Sequence, residues 1–350
     1  DQTIPEPVYD PSDTETATIL AVNPTGVIRS MDGLDEINVV FSKPVVPLKK
    51  IKKGEPSLIK ITPQLKGEGY WKTSSVYVFR VDDTPEYSTK YSIEFIGTKD
   101  LPLREWTVST PGIELSASFP QYNSEQIGLD QKIYLEFSLP VDLERFKELI
   151  TVSSGNQIIP VKMSHPNIKK LSAHYKDWLS YTSNPRGWDS FTYYRVPSFL
   201  YAADPDPAKV IELIPQKKYG IGKEIKVSIK LPRGHEAKGK VSERHVPFRT
   251  YNHFKVQRID NAGYPGEGVE IAFTNLVRPA ELKGKIKVQP EVEINLEENL
   301  SSVSRSVYIW GKFKPGMEYR ITVLAASKDV FGNVLDEDQT FTYKVDDYYP

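Results

Sequence analysis

The 350-residue sequence contains no cysteine. That absence excludes disulfides, a thiolate nucleophile, Cys-ligated zinc and Cys-held iron–sulfur clusters within the chain. It does not fix a compartment, because an exported protein that folds without disulfides and a cytosolic one both fit. An excess of either charge is lacking too. Forty-five Lys and Arg stand against 46 Asp and Glu, a net charge of −1. Composition therefore supplies no general attraction to nucleic acid or to an anionic membrane, and no nucleic-acid partner is expected. No apolar run approaches the length of a membrane span. Histidine is scarce and scattered (His165, His174, His235, His245 and His253), without the spacing of a zinc protease. Nucleophile-elbow and P-loop signatures are missing. The glycine-rich stretch Gly263 to Gly268 precedes a strand instead of opening a helix, so it does not read as a phosphate cradle. Long helices alternating with strands are also missing, which argues against a parallel α/β sheet.

What is abundant is tyrosine (20) and proline (27), a composition suited to many short strands joined by turns. The organising stretch is Ile37 to Leu48, INVVFSKPVVPL. Its alternation places Ile37, Val39 and Phe41 on one strand face, and Pro44 should end the strand because it cannot donate to a ladder. The phrase returns as IYLEFSLPVDL (Ile133 to Leu143) and as VEIAFTNLVRPAEL (Val269 to Leu282). Other landmarks repeat in order. Ser75 to Phe79 and Ser306 to Trp310 follow the first and third copies, and Lys209 to Leu213 follows the second at about twice the distance. Next come KYSIEFI (Lys90 to Ile96), EIKVSIKL (Glu224 to Leu231) and EYRITVL (Glu318 to Leu324), each with a closing strand.

A repeat of roughly 100 residues is too long for a solenoid unit, so each copy should be a domain with its own core. The expected architecture is all-β: three tandem antiparallel immunoglobulin-like sandwiches. Residues 1–16 form an acidic, Pro-rich extended leader. The first sandwich spans 17–111, the second 112–252 and the third 253–350. An aromatic-rich insertion, 164–208, interrupts the second. Spacing in LERFKELI predicts a short helix from Leu143 to Ile150, with Leu143, Phe146 and Ile150 on one side.

No catalytic, cofactor or metal residues are assigned, and the chain reads as non-enzymatic. The insertion supplies a candidate partner or ligand surface: Tyr175, Trp178, Tyr181, Trp188, Tyr193 and Tyr194. These rings can stack on sugars or receive a peptide, or they can pack on the second domain. Asp329, Asn333, Asp336 and Asp338 form an oxygen-rich loop of the kind calcium prefers, but the spacing is not that of an EF-hand and an Asx-rich turn explains it as well. The run Lys49 to Lys53 is a solvated loop or an acidic-partner patch, and Asp204 to Pro207 reads as a rigid turn.

The phrases Phe41-Ser42-Lys43-Pro44-Val45 and Phe137-Ser138-Leu139-Pro140-Val141, with the closing Phe248-Arg249-Thr250, resemble the N-terminal region of bacterial alpha-2-macroglobulins. The resemblance spans roughly 17 to 345, and bacterial Ig-like domains of surface proteins share the same phrases. It implies macroglobulin-like and Ig-like sandwich domains in a periplasmic, often lipid-anchored protease trap. It implies proteases as partners of the full-length protein, a cell-wall synthase (a penicillin-binding protein) as a further partner, and contacts with other domains of the same chain. The family's thioester motif needs a Cys and is absent here. On this reading the chain is an N-terminal scaffold portion, periplasmic or cell-surface, anchored through a segment before Asp1. The alternative is an Ig-like stalk, or an adhesion or carbohydrate-binding module of a bacterial surface protein.

Overall fold

The computed structural model describes residues 8–13, 15–51, 54–55, 57–97, 101–167, 205–232, 241–296 and 303–347. It is almost entirely β, and its six sheets form three consecutive pairs. The first pair contains β1 (Ile19–Asn23), β2 (Gly26–Val27), β3 (Glu36–Phe41), β4 (Gly54–Glu55), β5 (Ile59–Thr62), β6 (Gly67–Thr73), β7 (Val76–Val81), β8 (Lys90–Phe95) and β9 (Arg104–Ser109). One sheet runs β1-β3-β7-β6-β4 and the other β2-β9-β8-β5. The second pair contains β10 (Leu115–Phe119), β11 (Ser124–Ile127), β12 (Ile133–Phe137), β13 (Ile150–Ser154), β14 (Gln157–Ile158), β15 (Val161–Ser164), β16 (Val210–Pro215), β17 (Glu224–Pro232) and β18 (Val241–Thr250). Its sheets run β10-β12-β16-β15 and β11-β18-β17-β13-β14. The third contains β19 (Val256–Ala262), β20 (Gly268–Val277), β21 (Ile286–Gln289), β22 (Ile294–Leu296), β23 (Ser304–Gly311), β24 (Glu318–Val323) and β25 (Gln339–Lys344), arranged β19-β20-β23-β22 and β21-β24-β25.

These are tandem immunoglobulin-like β-sandwiches. The alternation read from the sequence is the alternation of burial: Ile37, Val39 and Phe41 point inward, as do Val269, Ile271 and Phe273. Facing sheets close over these side chains. Val39 and Phe41 share one cluster with Ile61, Ile93 and Phe95, and Ile271 shares another with Val288, Ile321 and Val323. Each fully buried Phe or Leu stabilises its sandwich by about 1.5–3 kcal/mol, enough for small separate cores. By contact the chain divides into two compact units, Asp1–Glu114 with Lys230–Glu243, and Leu115–Ile229 with Arg244–Pro350. Apart from the segment Lys230–Glu243, the second and third sandwiches lie in one unit. No helix among the described residues is long and apolar enough to cross a membrane.

The repeated phrase has a local physical meaning. The hydroxyl after its Phe ties the phrase's strand to the start of the sandwich's first strand, β1 or β19. Ser42 Oγ accepts from the Thr18 N–H at 3.0 Å, and Thr274 Oγ1 accepts from the Lys255 N–H at 3.0 Å. Closing strands are stapled similarly. Thr110 Oγ1 accepts from the Thr89 N–H and donates to the Glu86 carbonyl; Thr250 Oγ1 accepts from the Lys223 N–H and donates to the Gly220 carbonyl. In the third sandwich Val345 takes this place and uses backbone bonds to Gly316 and Met317. Tyr91 and Tyr319, near the starts of β8 and β24, accept from the N–H groups of Glu86 and Lys314. This is the tyrosine corner of immunoglobulin-like domains. At the matching place the second sandwich has Ile225, and a nearby hydroxyl, Tyr219, donates instead to the Gln131 carbonyl at 3.0 Å.

Three features depart from the sequence reading. The expected helix from Leu143 to Ile150 is a single turn, α1 (Leu143–Phe146), capped by Asp142. Phe146 packs on Phe137 with centroids 5.0 Å apart, while Ile150 starts β13 and faces Ile229, so strand pairing outweighs helical spacing there. The sheets are not wholly antiparallel, because β2 pairs with β9 and β11 with β18 in parallel. Strand β6 was hidden by its glycines. A Cβ on Gly69 would come within 1.8 Å of Tyr77 Oη, and one on Gly67 within 2.2 Å of the Arg80 carbonyl oxygen and 2.6 Å of the Phe79 ring, so β7 occupies the space a β-former would need.

Candidate functional site

The six aromatic residues expected to form a partner surface, Tyr175, Trp178, Tyr181, Trp188, Tyr193 and Tyr194, lie outside the described residues, as do His174 and His235. Of the remaining histidines, His165 Nδ1 lies 2.9 Å from the Val210 carbonyl oxygen and His245 Nδ1 lies 3.1 Å from Ser228 Oγ. His253 offers its carbonyl to Thr274 Oγ1. The basic run is a 3₁₀ turn at Leu48–Lys50, with Lys52 and Lys53 outside the described residues. Asp206 caps the turn that follows it by accepting from the Ala208 N–H. A cavity of about 440 Å³ at the edge of the third sandwich is lined by Leu282, Lys283, Gly284, Ile286, Ile294, Asn295 and Leu296, which offers no acid–base pair. Among the described residues no group of three or more His, Asp or Glu side chains is placed to hold a metal ion.

Among the described residues a dense polar network lies at the seam between the second and third sandwiches, and it takes in Asp329 and Asn333 of the oxygen-rich loop. Asp329 is 3% exposed. Its Oδ1 accepts from the N–H groups of Phe331 and Asn333, and its Oδ2 accepts from the side-chain amides of Asn333 and Asn275, all at 2.8–2.9 Å. Four donors therefore occupy the carboxylate in an Asx-type turn. Asp338 likewise accepts from the Ala325 N–H.

Asn275 is wholly buried, on the extension of β20 past the Phe273 phrase. Its amide donates to the carbonyl of Asn252, the residue that joins the sandwiches, and its Oδ1 accepts from the Asn252 N–H. Gln126, on β11, reaches across as well. Its Nε2 donates to the Thr274 carbonyl at 3.0 Å, and its Oε1 accepts from the Leu276 N–H at 3.3 Å. Gln126 is 8% exposed and holds a left-handed backbone, φ 60°. That conformation costs a non-glycine residue about 1–2 kcal/mol, and the two cross-seam bonds are what the strained geometry makes. Tyr251 stacks on Phe331 at 4.4 Å, and Arg305 meets Glu125 at 3.6 Å on the rim.

The third copy of the repeated phrase explains why this seam exists. Pro44 and Pro140 stand three residues after Phe41 and Phe137, and β3 and β12 stop at those phenylalanines. Three residues after Phe273 stands Leu276, and β20 continues to Val277. A proline there would lack the N–H that binds Gln126. The signal was present in the sequence as a missing proline, but its partner, Gln126, lies far away in the chain.

No family model matches the chain, and no curated protein matches it. Among solved structures, the chain is similar to titin domains A168–A170 at 9% identity and a TM-score of 0.28, covering 95% of this chain and 99% of that one. It is similar to the ICAM-5 D1–D4 ectodomain fragment at 11% identity and a TM-score of 0.26, covering 95% and 76%. An L,D-transpeptidase from Mycobacterium tuberculosis H37Rv aligns at 14% identity and a TM-score of 0.21, covering 43% and 60%. Agreement at this level carries no argument about function.

Proposed function

We propose that the chain is a non-catalytic scaffold, a stalk of tandem sandwiches whose second and third members are locked into one stiff body. What supports this reading is the seam. A buried Asn–Asp–Gln network with each amide placed against a specific backbone group is far more than a flexible linker between independent domains needs. A spacer or docking frame needs that stiffness.

The chain itself makes the experiment simple, because it has no cysteine to compete with introduced labels. Spin labels at Thr151→Cys and Lys287→Cys, on exposed positions of the second and third sandwiches, report the distance between them. A single narrow distance distribution is expected, broadening in Asn275→Ala. A broad distribution in the unaltered chain would overturn the rigid-scaffold reading.

The finer reading is a portion of a bacterial alpha-2-macroglobulin-like protease inhibitor, in the periplasm or at the cell surface and anchored through a segment before Asp1. Proteases would be partners of the full-length protein, and a cell-wall synthase of the penicillin-binding type a further one. The phrases around Phe41 and Phe137 support it. A coding sequence that ends close to Pro350 would rule it out.

A further inference from the structure

The outer face of the β19-β20-β23-β22 sheet carries an arrangement that the scaffold role does not use. Cross-strand register puts Ala262, Gly268, Trp310 and Asn295 in one row, and Asp260, Glu270 and Tyr308 in the next. Arg258, Ala272 and Ser306 form a third row. Burial alternates accordingly, with Val307 and Ile309 facing the core and Tyr308 and Trp310 on the half-buried outer side.

Two glycines set the pose of the indole. A Cβ on Gly268 would meet Trp310 Cε3 at 2.6 Å, and one on Gly263 would meet Cζ3 at 3.3 Å. The Trp310 ring therefore lies down on the backbone of β20 and the preceding turn. Tyr308 is nearly parallel to it, with an interplanar angle of 18° and centroids 6.3 Å apart. Groups able to bind hydroxyls stand in the two rows beside that of Trp310. Glu270 accepts from Ser306 Oγ at 2.5 Å and meets Arg258 at 3.4 Å, and Arg258 also pairs with Asp260. The Asp260 and Arg258 side chains remain 44% and 55% exposed. Tyr264, 77% exposed, stands on the adjoining turn.

We propose that this face is a glycan platform, in which Trp310 stacks on the C–H face of a pyranose ring. Asp260 and Arg258, which remain exposed, take its hydroxyls, and the less exposed Glu270 holds Arg258 in place. A flat indole suits the apolar face of a sugar. Two carboxylates beside one guanidinium offer both acceptors and donors to a neutral polyhydroxylated ligand, whereas a basic peptide would compete with Arg258 and an acidic one would meet Asp260 and Glu270. Covering Gly268 accounts for the ring's pose but not for the hydrogen-bonding groups in the two rows beside it. The inference is independent of the scaffold reading, since neither Trp310 nor Asp260 belongs to the seam.

The test is calorimetric titration of the full chain with cellohexaose, chitohexaose and maltohexaose. Saturable binding to at least one is expected, weakened at least tenfold in Trp310→Ala and several-fold in Asp260→Asn. Asp260→Asn alters an exposed group and keeps the proposal testable should Trp310→Ala lose its fold. A Trp178→Ala/Trp188→Ala double variant is expected to bind as the unaltered chain does. No saturable binding to any of the three sugars overturns the proposal, as does equal affinity in Asp260→Asn and a folded Trp310→Ala. Loss of binding confined to the Trp178/Trp188 pair also overturns it.

Discussion

Asn275 and Tyr219 show how single polar groups are used inside otherwise apolar sandwiches. Asn275 has no exposed surface and joins Asn252 to Asp329, so removing its amide takes both side-chain bonds from the Asn252 backbone and one of four donors from the Asp329 carboxylate. A hydrogen bond to a charged group contributes about 1.5–3 kcal/mol. Tyr219 is buried, and that burial, with the nearby Asp130 charge as a smaller cause, raises its phenol above the ordinary tyrosine value. The unfolded chain then loses this proton at lower pH than the folded chain does. The folded state holds more protons above about pH 10, and stability falls as pH rises through that region. Denaturant midpoints measured from pH 8 to 11 are expected to drop above about pH 10, and to drop less steeply in Tyr219→Phe. Burial of Tyr343 acts in the same direction, so some alkaline loss persists in that variant.

At the scale of the element, β20 differs from its counterparts by length. Strands β3 and β12 end at Phe41 and Phe137, ahead of Pro44 and Pro140, while β20 runs on to Val277 and presents Asn275 and the Leu276 N–H to the second sandwich. Leu276→Pro would give the third copy the punctuation of the other two. It removes the donor to Gln126 and restricts the backbone of Asn275. The expected outcome is a third sandwich that still folds, with faster amide exchange confined to 251–253, 274–277 and 329–333. Unchanged exchange there would mean that the extension does not hold the seam. Strand β6 teaches the converse. Gly67 and Gly69 lower its strand propensity, yet a Cβ at either position would strike β7, so packing against Phe79 and Tyr77 outweighs local preference.

For the whole molecule, the consequence is cooperativity. A shared buried network makes the second and third sandwiches exchange free energy, so they are expected to unfold in one calorimetric transition. Removing both Gln126 and Asn275 side chains should split that transition in two, the third sandwich retaining its own cluster around Phe273. Two separate transitions in the unaltered chain would contradict the coupling.

The sequence by itself determined the sandwich class and the paired strands Ile37 to Phe41, Ile133 to Phe137 and Val269 to Phe273, because alternation and proline punctuation act over a few residues. The closing phrase Phe248-Arg249-Thr250 was legible too, though not that the Thr250 hydroxyl would bond Lys223 and Gly220. Tertiary structure alone decided that Asp329 would accept from four N–H donors, that Gln126 would take a left-handed backbone to reach Leu276, and that Trp310 would lie over Gly268. Each of those depends on partners brought together by folding. Hydrogen bonds and ring contacts are satisfied by whatever lies within a few ångströms, and sequence separation does not encode that distance.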